Sequence, residues 1–406
     1  MLPKDWKRVP LHTVAEVRTG LAKGKQGLLD PVELPYLRVA NVQDGHFDLG
    51  EIKTILVERS AIERYTLRSG DVLMTEGGDF DKLGRGAVWK APVTPCLHQN
   101  HVFSVRPQRG ILDSTFLAAL SSSRYGRTYF EGCAKRSTNL ASINSSQLKE
   151  FPVILPPHRE QLEIAGVLDT WDAAVKTVEK LLANSRKQKE ALMEQLIGGK
   201  RRLYGYATER RTYRLGELFH ERVETNRCDL PLLSVTRDEG VIPRDAVGRK
   251  DTSNEDKSKY LRVCPGDIAY NTMRMWQGVS ALSRLEGIVS PAYTVVIPNK
   301  LIDARFAAHL FKYPPVVFLF YRYSQGLVSD TWNLKFPHFS EIKVEIPLLS
   351  EQIAIAKMLN DADAEIMALE KEVNFLREEK RTIMADLLTG KRRVRLPIAT
   401  VDSQAA

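Results

Sequence analysis

Apolar or small residues recur in steps of four and three at Ile164, Leu168, Trp171, Val175, Val178, Leu182, Ser185, then Leu192 and Leu196. The same rhythm returns 191 positions later at Ile355, Leu359, Ala362, Ile366, Leu369, Val373, Leu376, then Ile383 and Leu387. A 3.5-residue period held over several heptads is the pattern of a coiled-coil seam. The first predicted helix, Glu160 to Ile197, would be roughly 57 Å long. It follows Pro156-Pro157 and stops at Gly198-Gly199, as helix start and stop chemistry requires. Both seams place a lysine at the same heptad position, Lys189 and Lys380, and matched polar breaks can set register. The two helices are expected to pair antiparallel about a pseudo-two-fold axis, with globular domains toward opposite ends of a rod. The alternative is two independent helices, each packing on its own domain.

Outside these helices the apolar pattern changes to short alternating or β-branched runs. It predicts strands near Tyr36–Val39, Val72–Thr75, Gly86–Lys90 and Val102–Arg106, and a strand over Phe151–Leu155. Helices are expected near Leu11–Val17, Leu112–Tyr129 and Asn144–Glu150. The order repeats at Thr212–Leu218, Leu232–Val235, Asp267–Tyr270, Tyr293–Ile297, Ala304–Phe320 and Lys343–Ile346. Each globular part is therefore mixed α/β (α+β) with many short strands.

The repetition extends to local words. Leu196-Ile197-Gly198-Gly199-Lys200-Arg201-Arg202 is echoed by Leu387-Leu388-Thr389-Gly390-Lys391-Arg392-Arg393. Pro156-Pro157-His158-Arg159-Glu160-Gln161 faces Pro347-Leu348-Leu349-Ser350-Glu351-Gln352. Gly70-Asp71-Val72-Leu73 resembles Gly266-Asp267-Ile268-Ala269, and Gly132 with Asn139-Leu140 resembles Gly326 with Asn333-Leu334. Loops absorb the changes of offset between these words. By contrast, 71–100 and 267–290 share little. A duplicated scaffold carrying two different binding surfaces fits this pattern; drift after duplication is the bland alternative. The expected layout is a recognition domain over 1–158, a long helix and linker over 159–207, a second domain over 208–349, a second helix over 350–396, and a tail over 397–406.

Length and composition narrow the class. A chain of 406 residues, 43% hydrophobic and 27% charged, is an ordinary two-domain soluble protein. No signal peptide is visible, and the most apolar stretch, Val316–Tyr323, is far too short to span a bilayer. Cys96, Cys133, Cys228 and Cys264 lie far apart and read as isolated thiols in a reducing cytoplasm. A formal net charge of +9 suits a polyphosphate partner, although solubility alone would also account for it.

Arginine, glutamine and asparagine are the side chains best suited to reading base edges in pairs. The first domain offers Arg38, Asn41, Gln43, Lys82, Arg85, Gln99, Asn100, Lys135 and Arg136 in predicted loops. The second offers Arg237, Arg249, Lys250, Arg274, Trp276, Gln277 and Lys335. The turn Thr272–Gly278 combines a cation, an amide and a large ring; a hairpin whose tryptophan fills a core edge is its structural alternative. The basic runs Lys200–Arg202 and Lys391–Arg393 could favour a helix C-terminus, touch phosphate or meet an acidic partner. No phosphate loop, zinc motif, nucleophile elbow or methyltransferase Asn/Asp-Pro-Pro-aromatic motif is present in the sequence, so no catalytic, cofactor or metal residues are assigned.

In combination these words resemble the specificity subunit of type I restriction-modification enzymes, the HsdS family. The likeness rests on Trp6-Lys7-Arg8-Val9-Pro10-Leu11, the two Gly-Asp turns, the two Gly…Asn-Leu words, and the paired Glu-Gln and Gly-Lys-Arg-Arg words, and it covers about residues 5–396. The segment Cys133–Ser137 is more basic than the family pattern. The resemblance implies one target-recognition domain per half, each reading half of a split, asymmetric duplex DNA sequence. It implies long helices that space them and dock two modification subunits, with a restriction and translocase subunit able to join. S-adenosylmethionine, ATP and Mg²⁺ would belong to those partners, and this chain would be a non-catalytic subunit in the cytoplasm. The rival is an adaptor that spaces two protein-binding domains on a coiled-coil rod.

Overall fold

A computed structural model of the chain describes residues 2–24, 27–78, 83–136, 141–206, 208–236, 239–248, 255–327 and 331–395. It divides into a first unit, Met1–Val178 with Glu372–Ala406, and a second, Glu179–Lys371, so that the division falls inside both long helices.

In the first unit, Lys7–Pro10 pairs antiparallel with Pro152–Leu155 and so fastens the chain's start to the strand that leads into the first long helix. A four-stranded antiparallel sheet runs in the order Ala15–Thr19, Val102–Pro107, Val72–Thr75, Gly86–Val88. Val72–Thr75 is interior and buried along its length, consistent with its apolar run. Helices Ser114–Ser122 and Arg124–Cys133 cover this sheet's core, where Phe116, Phe130 and Phe151 are fully buried. A second sheet of Lys53–Glu58, Pro31–Leu37 and Leu97–His98 has its own small cluster of Tyr36, Val57 and Leu97.

The second unit builds the same main sheet from Phe219–Glu221, Tyr293–Pro298, Ile268–Asn271 and Ser280–Leu282. Arg211–Arg214 pairs with Lys343–Ile346, as the chain start does in the first unit. Phe306, Phe320 and Phe339 fill the core. Phe130 and Phe320, 190 positions apart, are each completely buried within the second of two successive helices.

Both long helices form. The first is His158–Leu192, continued by a wider turn over Met193–Ile197; the second is Leu349–Leu388. Gly199 and Gly390, at φ +74° and +72°, terminate them in the left-handed region that glycine enters without strain. Within the first unit Asp172 meets Lys380. Within the second Lys189 meets Asp363 at 2.5 Å, Arg186 meets Glu370 at 2.6 Å and Ser185 donates to Glu365 at 3.0 Å. Within each unit, later positions on one helix face earlier positions on the other, so the pairing is antiparallel. The seam residues Ile164 to Leu196 and Ile355 to Leu387 are all buried or half-buried. The two seam lysines each have a carboxylate at the matching position of the facing helix.

Several expected elements differ. Leu11–Val17 is a 3-10 turn, Leu11–Thr13, followed by the strand Ala15–Thr19, because pairing with Val102–Pro107 overrides local helix preference. The strand near Tyr36 ends at Leu37, and Val39–Asn41 is a 3-10 turn. The helix expected over Leu112–Tyr129 is broken at Ser123, whose backbone is extended and whose hydroxyl accepts from Gly126 N. Its counterpart breaks at Pro314, which lacks an N–H and starts a new helix at its first position. Lys53–Glu58 is a strand that the periodicity did not mark.

Candidate nucleic-acid interface

The words shared by the two halves are brackets between distant segments, and they sit where a helix must be aimed. Gln161 is fully buried and donates to Ile111 O and Pro156 O at 2.9 Å, while its carbonyl accepts from Asp113 N at 2.9 Å. Gln352 repeats this with Leu301 O, Pro347 O and Asp303 N. One amide thereby bonds three backbone groups from two separate segments. Asp113 and Asp303 in turn cap the next helix by accepting from Phe116 N and Phe306 N.

The neighbouring glutamates take the arginines that end the basic runs. Glu160, 1% exposed, accepts from Arg393 at 2.6 and 2.7 Å and from Trp6 Nε1 at 3.0 Å. Arg393 also grips Asp5 at 2.8 and 3.0 Å. Glu160 first, then Asp5, holds the Arg393 guanidinium above its ordinary pKa, and Arg393 lowers that of Asp5. In the second unit Arg202 forms the same two-pronged pair with Glu351, 1% exposed. Thus the third residue of each basic run is an internal clamp. Lys200 and Lys391 pair with Glu194 and Asp386 at their own helix ends.

A second duplicated bracket lies just before an interior strand of each main sheet. Asp71 accepts from Arg106 at 2.7 Å twice and from Arg68 N; Asp267 accepts from Arg222 at 2.7 and 3.1 Å and from Cys264 N. The carboxylate is in the same place, but its arginine comes from the penultimate position of Val102–Pro107 in one unit and from the residue just after Phe219–Glu221 in the other. Gly70 and Gly266, at φ +93° and +95°, make the turn that presents it.

Loops hang from this frame. In the first unit, Arg38 donates to Glu51 at 3.0 Å, and Arg85 donates to Gln43 at 3.3 Å. Asn41 is 3% exposed, and its amide is used on Asp48 O, Glu51 O and Arg38 N; it is a brace of the loop, not an exposed reading group. Gln99 is half-buried, and Asn100 lies 3.3 Å from His101, which pairs with Glu76 at 2.5 Å. Lys135 and Arg136 lie on a short strand paired with Ala141–Ser142. Lys82, Arg237, Arg249 and Lys250 lie outside the described residues.

In the second unit Thr272–Gly278 is a tightly braced projection. Leu334 N donates to Thr272 O, Trp276 Nε1 to Met273 O at 3.0 Å, and Lys312 Nζ to Gly278 O at 2.7 Å. Met275 is the residue that fills the core, so the tryptophan does not. Trp276 is half-buried, packed edge to face on Trp332 with ring centroids 5.4 Å apart. Arg274 and Gln277 are exposed on this turn, and Lys335 is exposed at the start of Phe336–Ser340. A fixed backbone presenting a guanidinium and an amide can make paired hydrogen bonds to base edges without ordering a mobile loop. Sequence reasoning missed Trp332, Tyr321 and Phe318 around Trp276; the aromatic residues at 318–323 were the signal for two of them, in a stretch weighed only against the length of a membrane span.

Among the described residues no helix is long and apolar enough to cross a membrane, and no group of three or more His, Cys, Asp or Glu could hold a metal ion.

Comparison with known proteins gives a consistent result. The family model described as "Type I restriction modification DNA specificity domain" matches residues 3–184 and again 209–374. The putative type I restriction enzyme MjaX specificity subunit of Methanocaldococcus jannaschii is 26% identical over 97% of this chain and 95% of its own. The EcoKI specificity subunit of Escherichia coli is 26% identical over 48% of this chain and 44% of its own. Among solved structures, a chain from a study of complex assembly and conformational transition of the type I R-M system superposes with a TM-score of 0.60 at 18% identity, covering 97% of this chain and all of that one. The S subunit of the type I system of M. genitalium superposes at 0.56 with 15% identity, covering 97% of each chain. These structural likenesses show the shared fold.

Proposed function

The chain belongs to the type I restriction-modification DNA specificity family, and from that premise we propose that it reads a bipartite, asymmetric duplex DNA site, one half through each repeat. It docks modification subunits and is itself non-catalytic. The observation that carries this reading is the contrast between duplicated brackets and divergent loops. Gln161/Gln352, Glu160/Glu351 and Asp71/Asp267 recur with the same kinds of partners, whereas the projection Thr272–Gly278 has no sequence counterpart in the first half. A frame held twice with different loops suits one kind of ligand read at two different sequences.

S-adenosylmethionine, ATP and Mg²⁺ are assigned to partner subunits, two of them modification subunits, with a restriction subunit joining the full complex. A cytoplasmic location follows from that role. The test is methylation mapping of a genome that expresses this chain with its modification partner. Replacing residues 208–350 by the equivalent segment of a relative should change one half-site and keep the other. A change in both halves, or in neither, would refute modular reading. A protein-spacing adaptor would instead show no duplex DNA affinity that falls steeply with rising salt.

A further inference from the structure

Beside the projection in the second unit lies a cleft of about 520 Å³. Trp276, Val317, Phe318 and Tyr321 form its apolar walls, and Gln277 and Lys312 supply an amide and an ammonium group. Tyr321 packs on Trp332 at 5.0 Å and stacks with Phe318 at 5.9 Å, so the rings form one connected cluster with Trp276. Phe318 is 56% exposed and Tyr321 42% exposed.

The frame does not require these rings. The helix Pro314–Tyr323 corresponds to Arg124–Cys133 through the shared buried phenylalanines, Phe320 and Phe130. At that offset Phe318 stands where the first unit has Thr128, Tyr321 where it has Glu131, and Lys312 where it has Ser122. Core positions are kept and solvent-facing positions have become aromatic. Large rings left in water are unfavourable by the area they expose, and a cluster of them marks a binding surface.

The lining chemistry selects the ligand. Among the described residues that line the cleft there is a cation and no carboxylate, and the walls are π-faces. Stacked rings with an adjacent positive charge suit a flat, electron-rich ring tied to a phosphate. We propose that this cleft holds a single unstacked nucleobase of bound DNA, with Phe318 and Tyr321 as stacking residues and Lys312 near its phosphate. The proposal rests on the DNA-reading role given above and adds an extrahelical base to it. That base comes either from a single strand or from a nucleotide displaced out of a duplex.

The test uses the full chain and three probes: single-stranded hexathymidylate, a 20-base-pair duplex, and the same duplex with one bulged thymidine. Binding is followed by tryptophan fluorescence, because Trp276 and Trp332 lie in the ring cluster while Trp89 is fully buried. Hexathymidylate should quench the protein, and a displaced base as the natural ligand predicts that the bulged duplex binds more tightly than the paired one. A single-stranded source predicts equal duplex affinities with hexathymidylate still bound. In the Phe318→Ala/Tyr321→Ala double variant, affinity for the unstacked base should fall about tenfold or more, while paired-duplex affinity stays unchanged. Tyr321→Phe should retain base binding. Absence of quenching at saturating hexathymidylate, or an unaltered affinity in the double variant, overturns the proposal. So does protection of the rings from hydroxyl-radical labelling by a modification subunit but by none of the three DNA probes. If the paired duplex is bound but neither unpaired probe engages the rings, only this inference falls. If no DNA is bound at all, the DNA-reading role falls with it.

Discussion

Arg202→Ala isolates the clamp between a basic run and a buried glutamate. It leaves the Glu351 carboxylate, 1% exposed, without the guanidinium that grips both its oxygens. Removing one partner of a fully buried pair costs about 3–5 kcal/mol. The Arg202 side chain is 28% exposed, so solvent screens part of the pair. Discounting for that gives about 2–3 kcal/mol. The loss is local to the start of the second long helix, where Glu351 and Gln352 set the direction of the first turn. A two-domain chain does not promise one cooperative transition, so a global melt is a poor gauge. Peptide-resolved hydrogen exchange over residues 349–359 reads the effect directly. A loss of 2–3 kcal/mol corresponds to exchange about 30- to 150-fold faster. Adding Glu351→Gln removes the stranded charge and should recover much of that acceleration. Arg393→Ala should be milder at Glu160, which keeps the 3.0 Å bond from Trp6 Nε1. Unchanged exchange over 349–359 in Arg202→Ala, or no recovery in the double variant, would refute the clamp.

Three further outcomes follow from particular side chains. Arg274→Ala should relax one position of one half-site in methylation mapping, by about 1–3 kcal/mol of discrimination, with folding intact because the side chain is exposed; an unaltered site and affinity would take this turn off the DNA. Burial pushes the Cys96 thiol up to about 12, so a thiol reagent at pH 8 should label exposed Cys228 in the native protein and reach Cys96 only on unfolding; mass spectrometry of the labelled native chain decides this. Burial also lowers the pKa of His98, whose Nδ1 lies 2.6 Å from Val102 O. The unfolded chain then binds that proton more readily, so His98's contribution is present above its ordinary pKa of about 6.5 and is lost as pH falls below it. Amide exchange over 97–106 should accelerate between pH 7.5 and 5.5 beyond the intrinsic change, and His98→Gln should flatten that slope; an equal slope in the variant would reject the assignment.

How much was legible depended on whether a residue's role was set by nearby periodicity or by distant chain. The long helices were legible because 3.5-residue spacing is local, and all their seam residues are covered in the structure. The paired words at Glu160-Gln161 and Glu351-Gln352 were visible as a repeat, but their work was not. Gln161 closes onto residues 50 positions away and Arg393 onto a glutamate 233 positions away, which no spacing rule reports. The breaks at Ser123 and Pro314 differ in the same way. The proline could have been read from its missing N–H, whereas Ser123 turns extended and caps Gly126 N, a glycine packed on Ser121 O where a Cβ would come within 2.3 Å. Among the reading candidates, Arg274 and Gln277 are exposed as expected, while Asn41 was indistinguishable in sequence from an exposed amide.

The distribution of arginine explains why net charge is a poor guide to this surface. A formal charge of +9 suggests a broadly basic protein, yet many of its arginines are committed inward. Arg106, Arg202, Arg222 and Arg393 each hold a carboxylate that is at most 3% exposed. Arg262 is shared between Glu224 and Glu286. A guanidinium already bonded on both prongs releases no counterion from a phosphate, so it contributes nothing to salt-dependent affinity. In the proposed role the charges available to DNA are instead exposed ones on braced turns, such as Arg274 beside a glycine-closed 3-10 turn. Leu334 N, Trp276 Nε1 and Lys312 Nζ hold that turn still, and in the proposed role the turn carries the chemistry. The Asp71 and Asp267 sites show how little the frame depends on where its cations originate, since Arg106 lies within Val102–Pro107 and Arg222 just after Phe219–Glu221, yet they reach equivalent carboxylates. A bracket that tolerates that exchange leaves the exposed loop positions free to differ between the two halves, so the two different half-sites proposed for this chain require no change in the fold.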